Sequence, residues 1–253
     1  MLMRMRKRHN LEPRMEKCAD FLIEDALERR DHWRDIMPGC EKLSLELGCG
    51  KGRFTVDTAE GLPSTLFIAV EKVADAMIIA MERIRDRGIG NVRFICEDVA
   101  KLTEMFGKGE TDRIYINFCD PWPKSRDAKF RLTAPSFLRM YSHIMPVGGQ
   151  IHFKTDNRPL FDWSLEQFKG EGWEISELTN DLHRDGINGV MTDYEAKFHA
   201  EGIKINRLVA TKTAATLDIS AGTPPRLHNS ALRDFIGYEE SKDANAQGGS
   251  GEN

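Results

Sequence analysis

The chain has 253 residues and a formal net charge of −4, with 40% hydrophobic and 30% charged residues. Such a length buries a full core and most often makes one domain with extensions, and the acidic balance excludes a uniformly basic nucleic-acid-binding coat while leaving room for local basic patches. No apolar run approaches the roughly 20 residues of a membrane helix, and the basic start "MLMRMRKRHN" leads into no apolar core or cleavage site, so a cytoplasmic protein is expected.

Over the first fourteen residues Arg4, Arg6, Lys7, Arg8 and Arg14 face only Glu12. Residues 15–30 read as one amphipathic helix, so that 1–34 form a basic N-terminal arm and helix. A single α/β domain is expected over 35–211. Its strand-like runs are "LSLEL" (43–47), "LFIAV" (66–70), "VRFI" (92–95), "RIYINF" (113–118) and "QIHFK" (150–154), separated by helical patterns. Strands alternating with helices predict a doubly wound, mainly parallel sheet. Val73, Met77, Ala80, Met81 and Ile84 recur at helical spacing and stop at Gly88; this stripe reads as core packing. Thr133 followed by Pro135, and Asp156-Asn157 ahead of Pro159, mark two helix starts. "WEIS" and "IKINRLVAT" lack a comparable helix between them and predict that the sheet closes with an antiparallel edge pair. From residue 212 the pattern dissolves, and 212–253 read as a mostly disordered tail with a short helix near "SALRDFIGYEE". Five cysteines, odd in number and without a CxxC pair, support neither a disulfide framework nor a zinc site, and no metal is expected.

The chemistry concentrates at strand ends. "LSLELGCGKGRF" sets Glu46, Gly48, Gly50 and Gly52 between a strand and a helix, where glycines permit a tight turn and close backbone approach to a ligand. Alone, such a turn is a weak signal, because a structural strand-to-helix connection also uses glycine for its dihedrals. Glu71 follows the second strand, 21 residues after Gly50, placed to accept from ribose hydroxyls. Asp98 follows the third strand and is available to an adenine amino group or as an N-cap for "VAKL". A carboxylate just ahead of the glycine turn repels the pyrophosphate of a dinucleotide. S-adenosylmethionine has no phosphate and carries an ammonium and a sulfonium, so an acid-rimmed turn suits it. In "INFCDPWPKSRDAKFR" (116–131) the strand gives way to Asp120, then to Pro121 and Pro123, which stiffen the turn, and then to a basic loop. Trp122 there either stacks on a base or packs beneath the loop.

Taken in order and spacing, Glu46-x-Gly48-x-Gly50-x-Gly52, "NFCDPWPKSR", "HFKTDN" (152–157) and "MTDYE" (191–195) resemble the bacterial tRNA (guanine-N7)-methyltransferase family over about residues 3–210. The resemblance implies a Rossmann-like class I fold with S-adenosylmethionine as cofactor and tRNA as partner. The activity implied is methylation of guanosine 46 in the variable loop, by a monomer or a homodimer. It further implies that Glu46, Gly48, Gly50, Gly52, Glu71, Asp98 and Asp120 bind the cofactor, with Asp120 catalytic. Lys124, Asp156, Thr192, Tyr194 and Glu195 then meet the guanosine, and Arg126, Lys129 and Arg131, with Arg4, Arg6 and Lys7 of the arm, touch RNA. Where the family usually has two further basic or histidine positions in the loop, this chain has Asp127 and Phe130. Thr192-x-x-Glu195 is also a capping box for the helix beginning "YEAKF". The competing readings are a methyltransferase with a non-tRNA acceptor and a non-catalytic nucleotide- or RNA-binding module.

Overall fold

A computed structural model of the chain describes residues 10–219. Seven strands form one sheet: β1 (Lys42–Leu47), β2 (Thr65–Val70), β3 (Val92–Ile95), β4 (Arg113–Asn117), β5 (Gln150–Thr155), β6 (Glu174–Thr179) and β7 (Asn206–Thr211). Their order is β3-β2-β1-β4-β5-β7-β6. β1 to β5 run parallel, and β7 is antiparallel to both β5 and β6. The predicted antiparallel pair therefore closes the sheet, with the reversed strand β7 inserted inside β6.

The helices are α1 (Leu11–Glu16), α2 (Arg53–Gly61), α3 (Ala74–Arg87), α4 (Leu102–Met105), α5 (Pro135–Ile144), α6 (Arg158–Gly170) and α7 (Asp193–Ala200). β2 is buried along its whole length, as a central parallel strand covered on both faces must be. On one face Leu43, Leu45, Leu47, Ile114, Ile116, Ile151 and Phe153 pack with residues of α4, α5 and α6. On the other, Phe67, Ala69 and Phe94 pack with α2 and α3, and the Met77, Ala80, Met81 and Ile84 stripe is core as expected. Gly88 caps α3 at φ +66°, the left-handed conformation that glycine adopts without penalty.

Two expectations need correction. Residues 15–30 are not one helix. α1 stops at Glu16, and Leu22 forms a parallel bridge with Phe94 while the Ile23 amide donates to the Phe94 carbonyl at 2.8 Å. The open edge of β3 pairs with this segment at a single bridge, and edge pairing outweighs helical periodicity. The helix start marked by Thr133 and Pro135 is where α5 begins: Ala134 is the N-cap, Pro135 opens the helix, and the buried Thr133 hydroxyl lies 2.6 Å from Ser164 Oγ. The start of the predicted tail is packed. Lys212 Nζ donates to the carbonyls of Ser142 and Met145 at 2.6 and 2.7 Å, the Leu217 amide donates to Glu171 O at 3.0 Å, and His143 Nδ1 lies 3.0 Å from Asp218. The remainder of that tail, its expected helix, and the basic arm with Arg4, Arg6 and Lys7 lie outside the described residues. No helix among the described residues is long and apolar enough to cross a membrane.

Candidate active site

The strand order reverses between β1 and β4, and in such sheets ligands bind beyond the carboxyl ends of the strands at that point. A cavity of about 300 Å³ lies there, reached by the ends of β1 (Leu47, Gly48), β2 (Val70, Glu71), β3 (Glu97, Asp98) and β4 (Phe118, Asp120). Val73, Val99, Leu132 and Phe137 add apolar wall, and the lining carries four acids, Glu71, Glu97, Asp98 and Asp120, against one lysine, Lys72. An apolar slot edged by carboxylates accepts a flat apolar ring bearing hydroxyls or amines and disfavours phosphate.

The glycine turn explains that preference. Gly48, Gly50 and Gly52 all have positive φ, and the Gly50 amide, which in a dinucleotide site would face a phosphate, donates to Glu71 Oε2 at 3.0 Å. Glu71 Oε1 accepts from the Val73 amide at 3.0 Å, so both carboxylate oxygens are fixed at the mouth of the slot. Gly52 has a different role from the other two. A Cβ on it would lie 2.3 Å from Ala80 Cβ, so its contribution is the close approach of the turn to α3. Asp98 holds both of its anticipated positions: it lines the cavity and caps the following turn by accepting from the Ala100 amide at 2.9 Å.

Glu46 was expected on the rim and lies beneath it. It is 2% exposed, its Oε1 accepts from Asn117 Nδ2 at 3.1 Å, and Oε2 accepts from the Thr55 hydroxyl. Burial pushes its pKa up to about 7, opposed by those two hydrogen bonds and by the nearby charge of Lys154. The discrimination against phosphate therefore falls to Glu71 rather than to Glu46.

Asp120 is exposed at the cavity mouth, and Trp122 has φ +41°. The indole packs within the loop: its ring lies 5.3 Å from Phe130, and both rings line the cavity. Phe130, the departure that removed a basic residue, is thus wall, and Lys129 Nζ sits 5.1 Å over its ring. Asp127 lies 3.6 Å from Arg126, whose side chain is 78% exposed; Lys124 is also exposed. Arg131, expected on RNA, donates to Pro121 O and Trp122 O at 2.9 and 3.0 Å.

The second half of the site grows from β5. Asn117 and Lys154 are register partners on adjacent strands, so the loops carrying Asp120 and Asp156 leave the sheet side by side. Asn157 caps α6 by accepting from the Leu160 amide at 2.8 Å, which fixes the turn holding Asp156. Thr192 and Glu195 form the anticipated capping box on α7, with the Glu195 amide donating to Thr192 Oγ1 at 2.9 Å and Glu195 Oε2 accepting from the Thr192 amide at 3.2 Å. Glu195 itself is fully buried. Lys154 Nζ donates to its Oε2 at 2.6 Å and to the Val190 carbonyl at 2.9 Å, and His183 Nε2 lies 3.0 Å from its Oε1. Tyr194 is exposed and stacks on Phe198, which lies against Phe118. Thr55, Glu97, Asn117, Lys154 and His183 escaped sequence reasoning. Two of them lay inside quoted motifs, Asn117 at the start of "NFCDPWPKSR" and Lys154 within "HFKTDN".

A family model described as "Putative methyltransferase" matches residues 41–208. A tRNA (guanine-N(7)-)-methyltransferase of Bacillus cytotoxicus is 37% identical over 209 residues, covering 82% of this chain and 96% of the relative. Among solved structures, the 16S rRNA methyltransferase KamB superposes with a TM-score of 0.56 at 14% identity, covering 72% of this chain and 93% of KamB. An antibiotic-related methyltransferase does so with 0.53 at 18% identity, covering 73% and 94%. The two structures share the fold, and the extent of the sequence match shows that the chain belongs to the tRNA (guanine-N7)-methyltransferase family.

Proposed function

We propose that the protein transfers a methyl group from S-adenosylmethionine to N7 of a guanosine in tRNA, with guanosine 46 of the variable loop as the target and the cytoplasm as the place of action. The observation that carries this reading is the position of Asp120, at the mouth of an acid-edged, apolar-walled cavity whose glycine turn already spends its Gly50 amide on a carboxylate.

The cavity suits an adenosine with a cationic side chain. Its apolar walls take a purine, Glu71 and Asp98 can accept from ribose hydroxyls and an exocyclic amine, and the acidic lining favours an ammonium and a sulfonium. When bound, S-adenosylmethionine supplies an electrophilic methyl on sulfur. Guanine N7 carries an exposed lone pair, so no residue of the chain has to remove a proton from the nucleophile. Positioning and charge stabilisation then dominate. Asp120 and Asp156, on neighbouring loops, stabilise the positive charge that develops on the purine. Thr192, Tyr194 and Lys124 orient the base or an adjoining phosphate. Glu195 acts through the backbone it holds, because both of its oxygens are engaged inside the protein. A guanosine stacked in folded tRNA has to leave its tertiary contacts to reach this site. The exposed Arg126 and Lys129, with Arg4, Arg6 and Lys7 of the arm, supply a salt-dependent hold on the RNA.

The test is incubation of the purified protein with labelled S-adenosylmethionine and unmodified tRNA, followed by reductive chain cleavage at N7-methylguanosine. A single cleavage in the variable loop is expected. Cofactor binding without transfer to any tRNA would overturn the assignment and favour a different acceptor.

A further inference from the structure

Arg131 lies at the end of the loop that carries Asp120, and its guanidinium turns back into that loop. Nε donates to the Pro121 carbonyl at 2.9 Å and Nη2 to the Trp122 carbonyl at 3.0 Å, while Cζ sits 4.4 Å above the ring of Trp163 on α6. The two carbonyls belong to the residues that follow Asp120 directly. One of them, Trp122, is held at φ +41°, a strained conformation that a non-glycine residue keeps only where its surroundings fix it. The Trp122 ring meets Phe130, the residue before Arg131, and the pair lines the cavity. Residues 120–131 thus form a closed loop, tied at its neck by one guanidinium seated on an indole.

We propose that Arg131 is a positioning residue: clamped on Trp163, it fixes the Pro121 and Trp122 carbonyls, thereby aiming Asp120 at the reacting centre and holding the Trp122–Phe130 wall of the cofactor slot. This rests on the methyl-transfer reading given above. The chemistry requires arginine in particular. A planar fork can satisfy two carbonyls while its face lies on an aromatic ring, whereas an ammonium is a point charge without that geometry. A residue whose role was to neutralise an RNA phosphate would tolerate lysine.

That difference supplies the test. Arg131→Lys, Arg131→Met and Trp163→Leu are compared with wild type for kcat, for KM with tRNA over a range of salt, and for S-adenosylmethionine affinity by calorimetry without tRNA. Circular dichroism verifies folding. Arg131→Lys is expected to lower kcat about 100-fold, the loss that a displacement of about 1 Å at a reacting centre produces, and to weaken cofactor binding several-fold while leaving the salt slope of tRNA binding unchanged. Trp163→Leu should reproduce both losses, and the double variant should be no worse than the more impaired single one, since both break one clamp. Should Arg131→Lys misfold, Trp163→Leu gives the same reading from outside the loop. Wild-type kcat and cofactor affinity in Arg131→Lys would overturn the proposal. So would an Arg131→Met variant that loses about one unit of salt slope, with lysine restoring it, because that is the behaviour of a phosphate contact. The calorimetric arm needs no acceptor, so a failure of the tRNA assignment would show in wild type as absent transfer and leave the clamp measurable.

Discussion

Lys154 Nζ lies 2.6 Å from Glu195 Oε2, and the two side chains are 8% and 0% exposed. The pair joins the end of β5 to the capping box of α7, and the same ammonium reaches the Val190 carbonyl. A buried pair of this kind gives little net stability over apolar packing, but breaking it strands a charge. The segment 190–195, which carries Thr192 and Tyr194, is therefore set in place by a charge on the sheet.

Lys154→Met leaves Glu195 with only His183 and the Thr192 amide as partners. The expected loss is about 3–5 kcal/mol of unfolding free energy, read by urea denaturation. The double change Lys154→Met with Glu195→Gln should recover part of it, because the uncompensated charge is then gone. A Lys154→Met protein as stable as wild type would mean that the buried pair carries no charge.

Two groups on the same face of the sheet, the buried Glu46 and the half-buried His152, give opposite pH dependences. Glu46 has its pKa raised to about 7, chiefly by burial, so the folded state binds more protons than the unfolded one and the stability this group contributes falls as pH rises from about 4.5 through 7. His152 has its pKa lowered to about 3, first by burial and then by the charges of Arg113, Arg207 and Lys154, so the stability it contributes is present above its ordinary range and lost as pH falls. Unfolding free energies measured from pH 5 to pH 8 should show Glu46→Gln removing a decline with rising pH of at most about 1.4 kcal/mol per unit. His152→Asn should make the protein less sensitive to acid. Parallel pH profiles for wild type and either variant would contradict the corresponding assignment.

Asp120 stands at the cavity mouth and contributes little to the core. Asp120→Ala should lower turnover by about two to three orders of magnitude, the usual loss when one preorganised electrostatic group is removed, while cofactor binding stays measurable and the melting temperature changes little. Steady-state kinetics beside calorimetric titration decides it. Unchanged turnover would remove Asp120 from the mechanism.

Gly52 is required for packing. At φ +74° and with an added Cβ 2.3 Å from Ala80 Cβ, Gly52→Ala combines backbone strain with overpacking and should cost at least about 2 kcal/mol. Gly48→Ala and Gly50→Ala meet no neighbouring atom and bear only the strain of positive φ, so thermal denaturation should rank Gly52→Ala as the most destabilising of the three.

Local pattern and backbone chemistry could be read along the chain. The five parallel strands, the α3 stripe ending at Gly88, the capping box at Thr192 and the acids following strand ends were all legible, because each rests on residues close together in the chain. Tertiary structure decided the rest. Residues 15–30 carry a helical pattern, yet an open β3 edge recruits Leu22, and nothing within that segment announces the edge. Glu46 precedes the glycine turn in the chain, but strand alternation sends its side chain inward to Thr55 and Asn117, leaving Glu71 to meet the Gly50 amide. Lys154, His183 and Glu195 lie up to 41 residues apart, and Arg131, in a loop, reaches Trp163 on α6. Partners of that kind are chosen by which strands are neighbours and which faces they share, and the order of residues along the chain carries that information only through the fold.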